Sequence, residues 1–266
     1  MKMWKRPVLP VLFLWMVVLS LSGAETDYGA LPVKVVLFPF REATLSAQID
    51  GVIAKYNFRG GERFKKSDVL LTLDDQKNRN ELRRAESLLR EAELNVNFMK
   101  QKLTDNERLY KNDLQSEIEV VRSRFDYSVA VERLQAAMIN RDDAALHLLF
   151  CTILAPFDGT VEKLLTREYE TVRNGQPVLS IIDDNQLLAV MNLPSRQLTS
   201  VYIGMPVTVR VMENNKVVTG DIYEIASRAD HRSETFEIKV RIDNRKHLLK
   251  AGMSGVLVKI GAGNGQ

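Results

Sequence analysis

The sequence predicts a mainly β chain with one long α-helical coiled-coil hairpin set into it. Three observations lead there. The stretch Ala47-Gln48-Ile49-Asp50-Gly51-Val52 returns as Ala155-Pro156-Phe157-Asp158-Gly159-Thr160, and 159 − 51 gives an offset of 108. That offset also carries Glu62 onto Glu170, Leu71 onto Leu179 and Asp75 onto Asp183 without a gap. Between the two copies lies a charged stretch in which no Gly or Pro interrupts residues 62–155. After the second copy, short Val/Ile/Leu runs alternate with turn residues up to the end. A small β sandwich is thus split in half by a helical arm, and a small antiparallel β-barrel follows it.

Residues 1–24 read as an export signal. Lys2, Lys5 and Arg6 form the basic head, Val8 to Leu21 the apolar stretch, and Ser22-Gly23-Ala24 a cleavage site before Glu25. The apolar run falls short of the roughly 20 residues of a membrane span, although an uncleaved anchor stays open. Ala24 stands where a lipoprotein signal would place its acylated cysteine, which excludes a lipid anchor. Cleavage removes three positive charges from a chain whose formal charge is +3, so the mature protein is near neutral and a nucleic-acid partner is not indicated.

Residues 25–46 contribute a strand around Leu31 to Phe38, expected to join the barrel. The split sandwich comprises 47–75 and 151–184, with turns at Asp50-Gly51, Gly60-Gly61, Asp158-Gly159 and Asn174-Gly175. Gly51 and Gly159 are read as equivalent structural turns needing a positive φ. Neither half can bury its apolar face alone, so the two must stack.

The arm, residues 76–150, carries Leu82, Leu89, Val96, Leu103 and Tyr110 on a seven-residue beat, with Ala85, Ala92, Met99 and Asn106 interleaved. This is a coiled-coil seam. Asp74 or Asp75 can cap its start. The beat breaks at residues 111–115, and Ser116-Glu117-Ile118-Glu119 has the spacing of a capping box. A second seam follows at Val120, Tyr127, Val131, Leu134, Met138, Ala145 and Leu148, with Arg124 and Arg141 on the same beat. Two helices of similar length joined by a short turn run antiparallel and bring their ends back to one place. Such a stripe could also belong to a helix packed in a core, but charges cover the other faces and favour a projecting stalk.

Strand runs at Leu187 to Met191, Pro206 to Met212, Val217 to Ile225, Phe236 to Ile242 and Val256 to Ile260 give the barrel, residues 185–262, before a short tail at 263–266. The one cysteine, Cys151, excludes an internal disulfide and reads as a buried structural thiol. His147, His231 and His247 are far apart, with no Ser, Cys or metal-ligand companion at motif spacing, so neither an enzyme nor a metal site is indicated.

Ala155-Pro156-Phe157-Asp158-Gly159 after a helix, then Gly204-Met205-Pro206-Val207, Thr235-Phe236 and Lys250-Ala251-Gly252-Met253, fall in an order that resembles the HlyD-like membrane fusion proteins, the periplasmic adaptors of bacterial tripartite efflux pumps. The resemblance covers nearly the whole mature chain. It implies a lipoyl-like (barrel-sandwich hybrid) split domain and a hairpin that reaches a TolC-like outer-membrane channel. The barrel would touch an inner-membrane transporter of resistance-nodulation-division or ABC type. It further implies a homo-oligomer, six copies in a ring, located in the periplasm at the inner membrane of a Gram-negative bacterium. The hairpin tip would bind the channel through Leu109, Ser116 and Arg108. No cofactor is implied, because a lipoyl or biotinyl carrier needs an acceptor lysine where this chain has its helical arm.

Three departures from the family pattern stand out. Ser67 and Tyr169 replace turn glycines usual in the two halves. Many members carry Arg, Leu and Ser at i, i+4 and i+11 of the tip; here Leu109 and Ser116 match, but Asp105 takes the arginine place and Arg108 lies three residues on. The sequence also stops where many members continue into a membrane-proximal domain. A periplasmic coiled-coil scaffold that tethers envelope proteins without transport is the alternative reading.

Overall fold

The computed structural model describes residues 33–261; the expected signal with its cleavage site, and the tail, lie outside them. In chain order the elements are β1 (Lys34–Ser46), β2 (Gly51–Tyr56), β3 (Arg63–Phe64), β4 (Val69–Leu73), α1 (Gln76–Lys111), α2 (Glu117–Leu149), β5 (Thr152–Leu154), β6 (Gly159–Leu164), β7 (Thr171–Val172) and β8 (Pro177–Pro194). A 3-10 turn (Ser195–Ser200) leads to β9 (Pro206–Val211), β10 (Val217–Ile225), β11 (Thr235–Asp243) and β12 (Ser254–Ile260).

The two halves of the sandwich are tied together by hydrogen bonds that repeat at the offset of 108. Asp50 Oδ1 accepts from the Asn174 amide at 2.8 Å, and Asp158 Oδ1 from the Lys66 amide at 2.7 Å. The Gly175 amide donates to the Ala47 carbonyl and the Ser67 amide to the Ala155 carbonyl, both at 2.8 Å. The Ile53 amide reaches the Glu170 carbonyl at 3.0 Å, and the Val161 amide reaches Glu62 at 2.9 Å. Within each half the pattern also repeats: Glu62 accepts from the Arg59 amide, and Glu170 from the Arg167 amide. Each half therefore supplies the bonds that the other lacks, around a shared core that includes Ile53, Leu71, Val161, Leu179 and Ile181.

The left-handed backbone positions repeat in the same way. Gly61 (φ 85°) matches Tyr169 (φ 67°), and Ser67 (φ 70°) matches Gly175 (φ 82°). These are the turns that require positive φ. Gly51 and Gly159 are not: both lack a positive φ and open strands β2 and β6. The expectation that they are equivalent positive-φ turns is therefore corrected. They are not equivalent in packing either. A Cβ on Gly159 would lie 2.2 Å from the Ile182 carbonyl oxygen, whereas one on Gly51 would meet only Leu73 Cδ1 at 3.3 Å. The reason is local. Ile182 still lies within β8, while its counterpart Asp74 has already left β4 for the hairpin.

The barrel closes in the order β1-β12-β9-β10-β11-β8, with β8 pairing back to β1. Its core includes Leu187, Met191, Val209, Ile222, Ile238 and Ile242. Strands β1 and β8 serve both bodies. Residues 34–38 of β1 line the barrel, and residues 41–46 pair with β8 in the sandwich. The segment expected to belong to the barrel is thus shared. Between Pro39↔Leu187 and Arg41↔Asp183, one residue of β1 faces three of β8, a bulge that bends the ribbon. Arg41 binds the buried Asp183 at 2.8 Å there and lies over the Phe157 ring at 5.0 Å.

The hairpin leaves after β4 and returns before β5, where the Leu73 amide donates to the Cys151 carbonyl at 2.7 Å. Cys151 is buried, and the Asn78 side-chain amide donates to its sulfur at 3.0 Å. Burial raises the thiol pKa above its ordinary value, and the Asn78 bond partly opposes that.

A non-glycine residue in the left-handed region costs about 1 kcal/mol or more. Ser67→Gly and Tyr169→Gly should each stabilise the protein by about 1 kcal/mol in urea melts, and Gly61→Ala and Gly175→Ala should each destabilise it similarly. Gly159→Ala should cost about 3 kcal/mol, as an overpacked site does, and Gly51→Ala under about 1 kcal/mol. Equal losses for the last two would contradict the packing described here.

Candidate docking site

Helices α1 and α2 run antiparallel, as ion pairs across them show: Lys102–Asp126 at 3.3 Å and Arg124–Glu107 at 2.9 Å. Burial repeats every seven residues along both. On α1, Leu82, Leu89, Val96 and Leu103 with Ala85, Ala92, Met99 and Asn106 are buried or half-buried. On α2 the buried positions are Val120, Ser123, Ala130 and Ala137. The expected seam residues Val120, Tyr127, Leu134, Met138, Ala145 and Leu148 are buried or half-buried, whereas Val131 is exposed and its neighbour Ala130 is buried instead.

The tip is built by the end of α1. Asp113 adopts φ 58°, and the Leu114 amide bonds the Leu109 carbonyl at 2.9 Å while the Asp113 amide bonds Tyr110 at 3.0 Å. This is the Schellman arrangement with Asp in place of the usual Gly. It folds residue 114 back over the last turn at the level of residue 109, which leaves Leu109 half-buried. Tyr110, expected in the seam, is 44% exposed instead. A seven-residue repeat drifts about 20° per heptad on a 3.6-residue helix, so four heptads after Leu82 the beat has turned out of the interface. The burial expected for Leu109 and Tyr110 is thus exchanged.

The two other expected tip residues, Ser116 and Arg108, are both exposed. Ser116 has the extended backbone of an N-cap, but its hydroxyl makes no capping bond, so the capping box is not formed. At the start of α1, Asp74 rather than Asp75 accepts a helix amide, from Gln76 at 3.1 Å. Asp75 instead pairs with Arg79 at 2.7 Å, which lowers the carboxyl pKa. Arg108 is exposed, but it is bound to Asp105 at 3.2 Å. The residue that occupies the family's arginine position thus neutralises the arginine displaced from it.

Beside exposed polar residues such as Lys111, Asp113 and Glu117, the tip presents several apolar side chains to solvent. Leu114 is 71% exposed, Ile118 76% and Phe125 67%, with Val121 also exposed. Ile118, Val121 and Phe125 stand at i, i+3 and i+7, on the face of α2 opposite the buried Val120, Ser123 and Ala130. The sequence reading missed this stripe, because its spacing is the same as that of a seam. Among the described residues no group of three or more His, Cys, Asp or Glu side chains could hold a metal ion, and no helix is long and apolar enough to cross a membrane.

Two family descriptions match the chain. Residues 41–184 match the barrel-sandwich hybrid domain of RND MFP proteins, and residues 189–261 match the CusB-like β-barrel domain. The fold is also that of solved structures. MacA from Actinobacillus actinomycetemcomitans is 20% identical with a TM-score of 0.72, over 87% of this chain and 78% of that one. A membrane fusion protein from Streptococcus pneumoniae R6 is 15% identical with a TM-score of 0.70, over 88% of this chain and 100% of that one. ZneB from Cupriavidus metallidurans is 17% identical with a TM-score of 0.57, over 86% and 98%. The architecture is thus a barrel-sandwich hybrid joined to a β-barrel. The chain belongs to the RND-type membrane fusion proteins, the periplasmic adaptor family of efflux systems.

Asp113→Gly should stabilise the hairpin by about 0.5–1 kcal/mol, by relieving a left-handed non-glycine residue. Leu109→Asp should lower stability by placing a charge at a half-buried position. Circular-dichroism melts check both; a Leu109→Asp melt equal to wild type would return Leu109 to the exposed role.

Proposed function

We propose that this chain is the periplasmic adaptor of a tripartite efflux system, linking an inner-membrane transporter to a TolC-like outer-membrane channel. The carrying observation is the hairpin: two helices of 36 and 33 residues that project about 50 Å and end in a tip with several exposed apolar side chains. The coiled-coil seam makes the arm stiff enough to place that tip at a distance. The transporter, of resistance-nodulation-division or ABC type, is engaged from the barrel. Several copies, six by the family resemblance, pack side by side so that the sandwiches form a ring and the hairpins a funnel. The role is mechanical, with no bond made or broken, and its setting is the periplasm at the inner membrane.

The tip contact is apolar in this reading. Ile118 and Phe125 carry it, rather than the Leu109, Ser116 and Arg108 set suggested by the family pattern. Ile118→Asp and Phe125→Asp should abolish co-purification with the TolC-like channel of the same organism and reduce efflux at least about tenfold. A charge in place of a contact residue costs more than the 1.4 kcal/mol of each factor of ten. Their melting temperatures should stay near wild type. Leu103→Asp, in the seam, should lower the melt as well. Channel binding that survives both tip substitutions would overturn the tip assignment. A chain that binds neither a transporter nor a channel would instead be a tether without transport.

A further inference from the structure

Beyond the shared strands β1 and β8, the sandwich meets the barrel through side chains around one arginine. Arg63, on β3 of the sandwich, donates through Nη1 to His247 Nδ1 at 2.5 Å and through Nη2 to Asn185 Oδ1 at 2.8 Å. Its guanidinium also lies 3.4 Å from Asp184 Oδ1. His247 belongs to the loop between β11 and β12, and Asp184 and Asn185 belong to the bulge of β8.

Each partner is held in place. The Thr160 hydroxyl, on β6, donates to Asp184 at 3.0 Å. The buried Asn244 amide group donates to the Asp184 carbonyl at 2.8 Å and to the Leu249 carbonyl at 3.0 Å, and its oxygen accepts from the Leu249 amide. The His247 amide bonds the Asn244 carbonyl at 2.7 Å, and His247 sits at φ 50°. A side chain at the end of a fixed loop, in a backbone region that Asn and Gly prefer, is thereby aimed at the arginine of the neighbouring body.

We propose that Arg63, Asp184 and His247 form a proton-sensitive latch between the sandwich and the barrel. The argument is one of donors and acceptors. Arginine can only donate, so Nδ1 of His247 must present a lone pair, and the bond exists only while the imidazole is neutral. A proton on Nδ1 removes the acceptor and sets two cations side by side. The imidazolium then finds one anion within reach, Asp184 Oδ2 at 3.8 Å. That carboxylate already receives the Thr160 hydroxyl and faces Arg63. The other charges near the ring are Arg245 and Lys246 on its own loop; Arg245 is bound to Asp243 at 2.6 Å. On β3 and β8 the charged groups facing the ring are Arg63 and Asp184. Protonation of the imidazole, the side-chain type that changes charge between about pH 5 and 8, therefore opens the latch. A released latch leaves the barrel held to the sandwich by the bulged β1–β8 ribbon, with Arg63 still on Asn185 and Asn244 still on the Asp184 carbonyl.

His231 supplies an internal control. It also meets an arginine, Arg228, but three residues away in the same loop of the barrel. Its protonation can rearrange that loop without freeing one body from the other.

The test measures a distance across the joint by pulsed electron resonance, with spin labels at Lys55→Cys in the sandwich and Lys216→Cys in the barrel, both exposed positions. The buried Cys151 stays in place. Spectra are compared at roughly pH 7.5 and 5.5, on either side of histidine titration. Otherwise unaltered protein should give a narrow distribution at the higher pH and a broad component that grows severalfold at the lower one. His247→Asn keeps an acceptor oxygen near the Nδ1 place and tolerates the positive φ, so it should stay narrow at both. His247→Lys, always charged, and Arg63→Met, with no donor, should be broad at both. His231→Asn should behave as the parent. A pH-independent parent, or a His247→Asn variant that still broadens, would overturn the latch; melts at both pH values establish that each variant is folded.

Discussion

Each half of the sandwich completes the hydrogen bonds of the other, and this exchange is what allows the helical arm to exist. Asp50 binds the Asn174 amide in the second half, and Asp158 binds the Lys66 amide in the first. A domain closed by such reciprocal bonds needs no covalent link between its halves at the split, only that the inserted ends return to one point. The Leu73–Cys151 backbone bond fixes that point. The heptad packing of α1 on α2 guarantees the return, because two antiparallel helices of nearly equal length bring their ends together. The fold thus rests on one pseudo-symmetric closure, from which the arm projects and beside which the barrel is built.

The repeat was legible because a gapless offset of 108 survives in the residues themselves. The hairpin was legible because its beat runs through a stretch without Gly or Pro. What stayed hidden has specific causes. The left-handed turns are Gly61 with Tyr169 and Ser67 with Gly175, so each equivalent pair has kept one glycine and lost the other. Composition then points at Gly51 and Gly159, whose role is steric: they open strands, and at Gly159 the carbonyl of Ile182 leaves no room for a Cβ.

On α2 near the tip, the sequence reading traced one seam and passed over a second apolar stripe with the same spacing. Packing decides for the side with Ser123, Ala130 and Ala137, because small residues let two helices approach, and it leaves Ile118, Val121 and Phe125 outside. Leu109 was misplaced for a related reason. The chain turns back beside it because Asp113 takes a left-handed conformation that usually signals itself as glycine. The family resemblance pointed to the hairpin tip as the candidate docking region. Around the tip, Asp105 pairs with Arg108 and Glu107 with Arg124, so these charges are met within the hairpin itself.

The ribbon formed by β1 and β8 has a mechanical consequence. β8 alone spans 18 residues, and it carries one continuous backbone from the sandwich core to the far end of the barrel, softened only at the bulge beside Asp183. The hairpin is fastened to the sandwich with two residues between β4 and α1 and two between α2 and β5, so it follows that body as a pointer follows its pivot. With an arm of about 50 Å, a swing of about 10° at the bulge carries the tip through about 9 Å, since 50 × 0.17 is close to 9. Packed helices lie about 8–10 Å apart. A small adjustment beside the barrel is therefore amplified into a displacement of the tip about as wide as the spacing between two packed helices.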